Sequence, residues 1–249
     1  MYGPFKERHV TRTMERRATA GILIGATVAA NAAFIGLGSS FDYPDVLQKP
    51  TDEILQLFVS TRPSTMAWFA LLALGAALLA PAAVLLSRQF EGAAARWSAR
   101  LGVAAAIVQV IGLSRWFLLV PGYAERATDA AASAADRAGA ISAFETAHNV
   151  LGTLVGETLG YIFTAAWTVA VLAAIRPSLG RKWFTLLGYS AAALIALGVF
   201  VPVGLPGADM ANFVGYVVWS VWVIILAVKL LRRGGAATVA GANPVPTAV

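Results

Sequence analysis

Hydrophobic residues in this chain form long runs, and polar residues are confined to the stretches between them. Six runs approach the ~20 apolar residues that an α-helix needs to cross a bilayer. They occupy residues 18–37, 66–86, 101–120, 150–175, 184–203 and 213–231. The pattern predicts an all-α fold, a polytopic membrane protein with a six-transmembrane-helix bundle, surrounded by a lipid bilayer.

The composition and the distribution of charge agree with this class. Charged residues make up 13% of the chain, whereas soluble domains carry about 25%. Most of the 19 lysines and arginines lie before the first run, between runs two and three, between runs four and five, and at the end of run six. The positive-inside rule therefore places both termini in the cytoplasm, with the chain in the inner (plasma) membrane. Because topology accounts for the basic excess, we expect no nucleic-acid partner.

The polar segments between the runs predict short extracytoplasmic helices. In residues 38–65, Thr51 is followed by two acidic residues, which are favoured in the first turn of a helix. We expect a short helix there, lying on the outer membrane surface or over the bundle mouth, with Asp42 and Asp45 in the same lid. Residues 121–147 are rich in alanine and predict a second helix, continuous with run four and capped by Ser133. Residues 1–17 are predicted to be a basic cytoplasmic segment and residues 232–249 a disordered cytoplasmic tail.

Run four carries a glutamate, Glu157, inside its apolar stretch. A charge inside a bilayer costs several kcal/mol unless it is paired, hydrated or placed at a binding site. Asn149, Thr153 and Tyr161 recur with it at helical spacing and form one polar stripe. A neighbouring stripe of small residues lets helix backbones approach closely, so we assign it to helix packing. It consists of Gly152, Gly156 and Gly160.

Arg115, in run three, is the candidate partner of Glu157. Counted from the assumed outer helix ends at 1.5 Å per residue, both charges lie roughly 10 Å deep. Their pairing would neutralise both; the alternative is that Arg115 extends outward to the interface and Glu157 is protonated. His148, near the outer mouth, is interpreted either as a proton-responsive gate or as an interfacial histidine satisfied by water or Glu145.

The absent residue types exclude several kinds of chemistry. The chain has no cysteine and only two histidines, His9 and His148. This excludes disulfides and cysteine nucleophiles, and it leaves no His-rich zinc site or bis-histidine haem within one chain. No serine-hydrolase, HExxH or Walker motif is present. We therefore expect no metal, no cofactor and no assigned catalytic residue.

Two segments of the chain are similar in sequence. GYIFTAAW at 160–167 parallels GYVVWSVW at 215–222, and runs three and five both open with Leu-Gly, at 101–102 and 187–188. This predicts a parallel duplication of a helical hairpin. In that alignment Glu157 corresponds to Asn212, and both positions are polar.

Two further segments carry a resemblance to a known family. FDYPDVLQKPTDEILQLF after the first run and GETLGYIFTAAW in run four resemble a bacterial family of six-span membrane proteins known as a domain of unknown function. The resemblance extends loosely over residues 15–232. It implies the six-span topology and provides no activity or catalytic residues.

Three functions remain open at this point. The first is binding or passage of a small molecule or ion through a polar pocket open to the outer side. Its predicted lining comprises Arg115, Glu157, Tyr161, Asn149 and His148, with Asp42 and Asp45 in the lid above. The second is a non-catalytic subunit or sensor that docks a membrane-protein partner or a second copy through its helix faces and outer loops. The third is an intramembrane enzyme with Glu157 or His148 as general base.

Overall fold

Eight α-helices form most of this computed structural model, which describes the backbone of residues 4–240 and the side chains of residues 11–233 apart from Pro177. The helices are α1 Pro4–Phe41, α2 Thr51–Ser87, α3 Ala93–Leu118, α4 Val120–Thr128, α5 Ala134–Ala147, α6 Gly160–Leu179, α7 Lys182–Leu197 and α8 Ala208–Ala240. Short 3₁₀ helices cover Asp45–Gln48 and Gly198–Val203, and a π-helix, His148–Leu159, joins α5 to α6. The described backbone contains no strand, so the predicted all-α class is confirmed.

Six stretches of helix are long and apolar enough to cross a membrane, and each contains one of the six predicted runs. They are Thr11–Phe41, Thr51–Ser87, Ala93–Thr128, Ala134–Arg176, Lys182–Val203 and Ala208–Arg233. The predicted number of spanning helices is therefore confirmed for the part of the chain that the structure describes.

The spanning helices form a closed ring. α1 packs on α2, α2 on α3, α3 on α6, α6 on α7 and α7 on α8, and α8 returns to pack on α1. The guanidinium of Arg16 in α1 donates a hydrogen bond to the carbonyl of Arg233 in α8, so α1 starts beside the end of α8. We call this the terminal end of the ring and the opposite end the distal end.

Two large apolar cores, with a small third cluster of Ala165, Ala192 and Ile195, hold the ring together. At the terminal end, every spanning helix contributes a fully buried residue; Leu23, Leu86, Ala105, Trp167, Phe184 and Trp222 are one from each. At the distal end, a second core of aromatic residues joins α1, α2, α3 and α5, and its largest members are Phe41, Phe58, Phe69, Trp116 and Phe144. The second core lies on one side of the ring, and α8 contributes no buried residue to it.

The segments between the predicted runs differ in part from their predicted form. α2 is a single helix from Thr51 to Ser87, so the expected short separate helix is the first part of this spanning helix. Pro63 and Pro81 lie inside α2, which continues past both. Ser133 does cap α5, because its hydroxyl accepts from the backbone N–H of Asp136 at 3.1 Å. At the end of the chain, α8 continues to Ala240, and residues 241–249 of the predicted tail lie outside the described residues.

The two similar segments, residues 160–167 and 215–222, make equivalent contacts in the structure. A Cβ on Gly102 in α3 would lie 2.7 Å from the indole of Trp167, and one on Gly188 in α7 would lie 2.7 Å from the indole of Trp222. These are equivalent pairs in the predicted alignment of the two hairpins. The α3–α6 and α7–α8 pairs therefore pack through the same glycine–tryptophan contact.

Candidate functional site

The glycine stripe of the fourth span faces α3. A Cβ on Gly160 would lie 3.1 Å from Cγ of Gln109, and one on Gly156 would lie 2.9 Å from Cα of Gly112. A Cβ on Gly152 would lie 2.6 Å from the guanidinium carbon of Arg115. These three contacts fix an antiparallel register in which Gly152, and not Glu157, lies opposite Arg115.

Arg115 is sealed between α3 and the π-helix, with 4% of its surface exposed. Its Nη1 donates to the carbonyl of Gly112 at 2.6 Å, and its Nη2 lies 3.5 Å from Nδ1 of His148. The guanidinium carbon lies 5.2 Å from the ring centroid of Trp116, within the range of a cation–π interaction. Its Nε has no hydrogen-bond partner. Arg115 therefore does not extend outward to the interface.

The predicted ion pair between Arg115 and Glu157 is not formed. Among the described residues, the ion pairs within 4.0 Å are Lys49–Asp42 and Arg62–Glu125. Glu157 lies five residues beyond Gly152, in a helix whose i→i+5 hydrogen bonds place more residues in each turn than an α-helix does. This register separates the two charges while leaving them within electrostatic reach of each other.

Glu157 is half-buried, and its carboxylate has no hydrogen-bond or ion-pair partner in the described part of the chain. Three phenols lie within electrostatic reach of it, those of Tyr43, Tyr161 and Tyr216. They come from the connection after α1, from α6 and from α8. The fold therefore gathers tyrosines from three separate elements around one unpartnered carboxylate.

The rings around Glu157 form two sets, Tyr161 with Tyr216 and Tyr43 with two phenylalanines. The centroids of Tyr161 and Tyr216 are 6.0 Å apart. Tyr43 meets Phe34 of α1 edge to face at 5.5 Å, and Phe34 lies 6.2 Å from Phe213 of α8. We call these five residues, together with Glu157, the tyrosine cluster.

Tyr43 lies outside the spanning helices, and its phenol interacts electrostatically with both Glu157 and Arg115. Burial raises the pKa of its phenol, the Glu157 carboxylate raises that pKa further, and the Arg115 guanidinium lowers it.

The other predicted site residues lie in different surroundings. His148 is half-buried, stacks on Phe144 with centroids 5.8 Å apart, and lies beside Arg115. Asn149 is exposed. The exposed Asp42 accepts a hydrogen bond from Lys49 at 2.7 Å, and Asp45 is exposed in the first turn of a 3₁₀ helix. The structure thus brings Arg115 to His148 and Glu157 to Tyr161.

Sequence reasoning missed two of the three tyrosines of the tyrosine cluster and both of its phenylalanines. Tyr216 could have been found, because it aligns with Tyr161 in the GYIF and GYVV segments of the repeat. Tyr43 lies in the FDYP segment, where nothing in the local pattern marks a side chain that turns back into the ring.

Other polar side chains of the spanning helices near the cluster are hydrogen-bonded. Gln109 donates to the hydroxyl of Thr164 at 3.0 Å, and Trp219 donates to the hydroxyl of Thr168 at 2.8 Å. The amide of Asn212, the repeat equivalent of Glu157, donates to the carbonyl of Ile195 at 2.8 Å. Each of these polar groups has a hydrogen-bond partner on another helix. Glu157 has none among the described residues, which distinguishes it from them.

The residues around Glu157 do not form a metal centre. The described residues include no group of three or more histidine, cysteine, aspartate or glutamate side chains placed to hold a metal ion. What the arrangement offers chemically is one carboxylate, several aromatic faces and a sealed guanidinium behind them.

Comparison with known proteins places the chain in a family. The sequence profile described as "Domain of unknown function (DUF4386)" matches residues 19–231. The chain belongs to this family. The match extends from α1 to α8, so the resemblance predicted from the sequence is confirmed. No curated protein and no solved structure matches this DUF4386 member.

Proposed function

We propose that the ring binds a small solute in a polar crevice between α1, the fourth span and α8, with Glu157 as the charge that faces the ligand. The observation that carries the proposal is the unpartnered, half-buried carboxylate of Glu157. These tyrosines pack against buried apolar residues, yet each keeps part of its surface accessible. The proposal assigns this accessible surface to a crevice rather than to lipid.

The energetics of a charge in a membrane support the same proposal. An isolated charge in the bilayer core costs several kcal/mol, so such residues face a partner, water or a ligand. Arg115 supplies a compensating charge at a distance, but its own hydrogen bonds go to Gly112 and toward His148. The proposal assigns water or a ligand in the crevice as the partner of Glu157, in place of neutralisation by a proton.

We propose binding rather than passage for the conformation seen here. The core at the terminal end draws fully buried residues from all six spans, including Trp167 and Trp222. A solute that reached Glu157 from the distal end would meet this core before it crossed the ring. Passage would require the terminal core to separate.

The proposed orientation places both termini in the cytoplasm, so the crevice opens to the outer side. Its support is the positive-inside rule. Arg16 and Arg233 lie together at the terminal end, and Arg96 lies there at the start of α3. The exposed acids Asp42, Asp45 and Asp52 lie at the distal end.

Cysteine labelling tests the proposal without knowledge of the ligand. The chain contains no cysteine, so the native protein is an unlabelled background. Tyr161→Cys should react with a membrane-impermeant maleimide added outside intact cells. The matched control is Ile162→Cys, because Ile162 is the next residue, is 42% exposed and faces outward from the ring toward lipid. Water-soluble reagents should label the first variant and spare the second.

The same reagent tests the orientation. Asp45→Cys should be labelled from outside and Arg96→Cys only after the cells are opened, since both residues are exposed at opposite ends of the ring. If Tyr161→Cys reacts from neither side, the crevice does not exist. If it reacts only from the cytoplasmic side, the opening has been assigned to the wrong end.

The two other functions lose support from this geometry. The glycine stripe is occupied by α3, so it does not offer a face for a partner protein. His148 lies beside Arg115 and makes no hydrogen bond with Glu157, so these two candidate bases do not form a pair.

A further inference from the structure

The rings around Glu157 restrict the kind of solute that it can hold, and this inference rests on the proposed function. Tyr161 follows Glu157 by four residues on the same helix face, and its ring lies 6.0 Å from that of Tyr216 in α8. Tyr43, from the connection after α1, interacts electrostatically with the same carboxylate. Aromatic faces carry partial negative charge and attract cations that have little water bound to them. A carboxylate combined with such faces is complementary to a bulky, weakly hydrated cation.

Other ligand classes fit this set of groups less well. An anion would need the guanidinium of Arg115, which is 4% exposed and already bonded to a backbone carbonyl. A calcium or magnesium ion needs several oxygen ligands in a defined geometry, and the described residues place no cluster of acids around Glu157. Tyrosine faces add nothing to the binding of a small hydrated ion, whose water shell keeps it away from the rings.

We infer that the tyrosine cluster binds an organic ammonium cation, with Glu157 supplying the charge and the faces of Tyr43, Tyr161 and Tyr216 contacting its alkyl groups. Arg115 makes the site selective for ligands that carry a single positive charge. Its positive charge lies within electrostatic reach of the carboxylate and repels any cation bound there, so a second positive charge on the ligand is disfavoured. The expected ligand is therefore a monocation.

Binding of defined probes to the purified full-length protein tests the inference. Tetramethylammonium and benzyltrimethylammonium chloride should raise the midpoint of thermal unfolding, because a ligand that binds only the native state stabilises it. Sodium chloride at equal ionic strength, sodium benzoate and a bis-quaternary ammonium salt should raise it less. Trp219 lies 6.3 Å from Tyr216 and provides a fluorescence signal for titration.

Variants separate the role of charge from that of the rings. Glu157→Gln should weaken binding of benzyltrimethylammonium at least about tenfold, whereas Glu53→Gln, an exposed acid in the first turn of α2, should leave it unchanged. Tyr216→Phe keeps the ring and should bind within about threefold of the native protein. Tyr216→Leu removes the ring and should bind about 2- to 30-fold more weakly. Size-exclusion profiles check that each variant is folded.

The outcomes distinguish this inference from the function on which it rests. Equal binding to the native protein and to Glu157→Gln, or equal effects of sodium and ammonium salts, would overturn the ammonium assignment. If Tyr161→Cys is labelled from water but no ammonium salt binds, the ligand class is wrong and the crevice stands. If Tyr161→Cys is not labelled, both proposals fall together.

Discussion

The backbones of the π-helix and α3 pack against each other at Gly156 and Gly112, and Gly156→Ala tests this contact. The added Cβ would lie 2.9 Å from Cα of Gly112, while ordinary contact begins at 3.4 Å, so the backbones must separate by about 0.5 Å. Overpacking of this kind costs about 1–3 kcal/mol. Gly112→Ala should be worse, because its Cβ would lie 2.5 Å from Cα of Gly156.

Gly25→Ala in α1 is the matched control for this effect. A Cβ on Gly25 would meet nothing within 4 Å. Both alanines gain roughly 1 kcal/mol of intrinsic helix propensity, so that gain cancels when the two variants are compared. The difference between them should therefore equal the cost of the clash, about 1–3 kcal/mol.

Reversible unfolding in mixed detergent micelles, with SDS as denaturant and circular dichroism as readout, gives the free energies directly. We expect the order of stability Gly25→Ala, Gly156→Ala, Gly112→Ala, from most to least stable. Equal stability of Gly156→Ala and Gly25→Ala would show that α3 and the π-helix do not meet at these glycines. The register that places Gly152 opposite Arg115 would then be wrong.

Three further predictions concern Gly152, the buried phenol of Tyr43, and the exposed Arg62–Glu125 ion pair. Gly152→Ala should destabilise less than Gly156→Ala in the same unfolding assay, because its Cβ meets the end of the flexible Arg115 side chain; a larger cost would mean that the guanidinium cannot move. Burial raises the pKa of Tyr43, so the folded chain keeps a proton that the unfolded chain loses above pH ~10, and stability should fall as pH rises beyond that value. Tyr43→Phe should reduce this fall when stabilities at pH 9 and pH 11 are compared, and an unchanged slope would contradict the burial of the phenol. Glu125→Gln removes the exposed ion pair with Arg62 and should change the unfolding free energy by less than about 1 kcal/mol, a larger loss showing that the pair is not solvent-screened.

The sequence was sufficient for the spanning helices because their signal is local and strong. Each of the six apolar runs lies within one spanning helix, since a bilayer requires backbone groups to bond within the segment. The predicted hairpin repeat also has a structural counterpart in the Gly102–Trp167 and Gly188–Trp222 contacts. Spacing along a helix was enough to place these residues.

The geometry of the charges could not be read from the sequence, because it depends on where helices end and how they turn. The predicted depths of Arg115 and Glu157 were counted from assumed helix ends near Pro121 and Val150. The chain in fact continues as helix through α4 on one side and from α5 on the other, and His148–Leu159 is a π-helix. An error of a few residues in either assumed helix end changes the counted depth of Arg115 or Glu157. The two charges then no longer lie opposite each other.

The central claim is that Glu157 faces a hydrated crevice rather than an internal partner. An experimental structure in lipid nanodiscs, at a resolution that shows ordered water, tests this most directly. We predict density for water or a bound solute between the Glu157 carboxylate and the rings of Tyr161 and Tyr216, with Arg115 still bonded to the carbonyl of Gly112. A direct Arg115–Glu157 ion pair in a closed ring, or a lipid chain packed against the carboxylate, would contradict it.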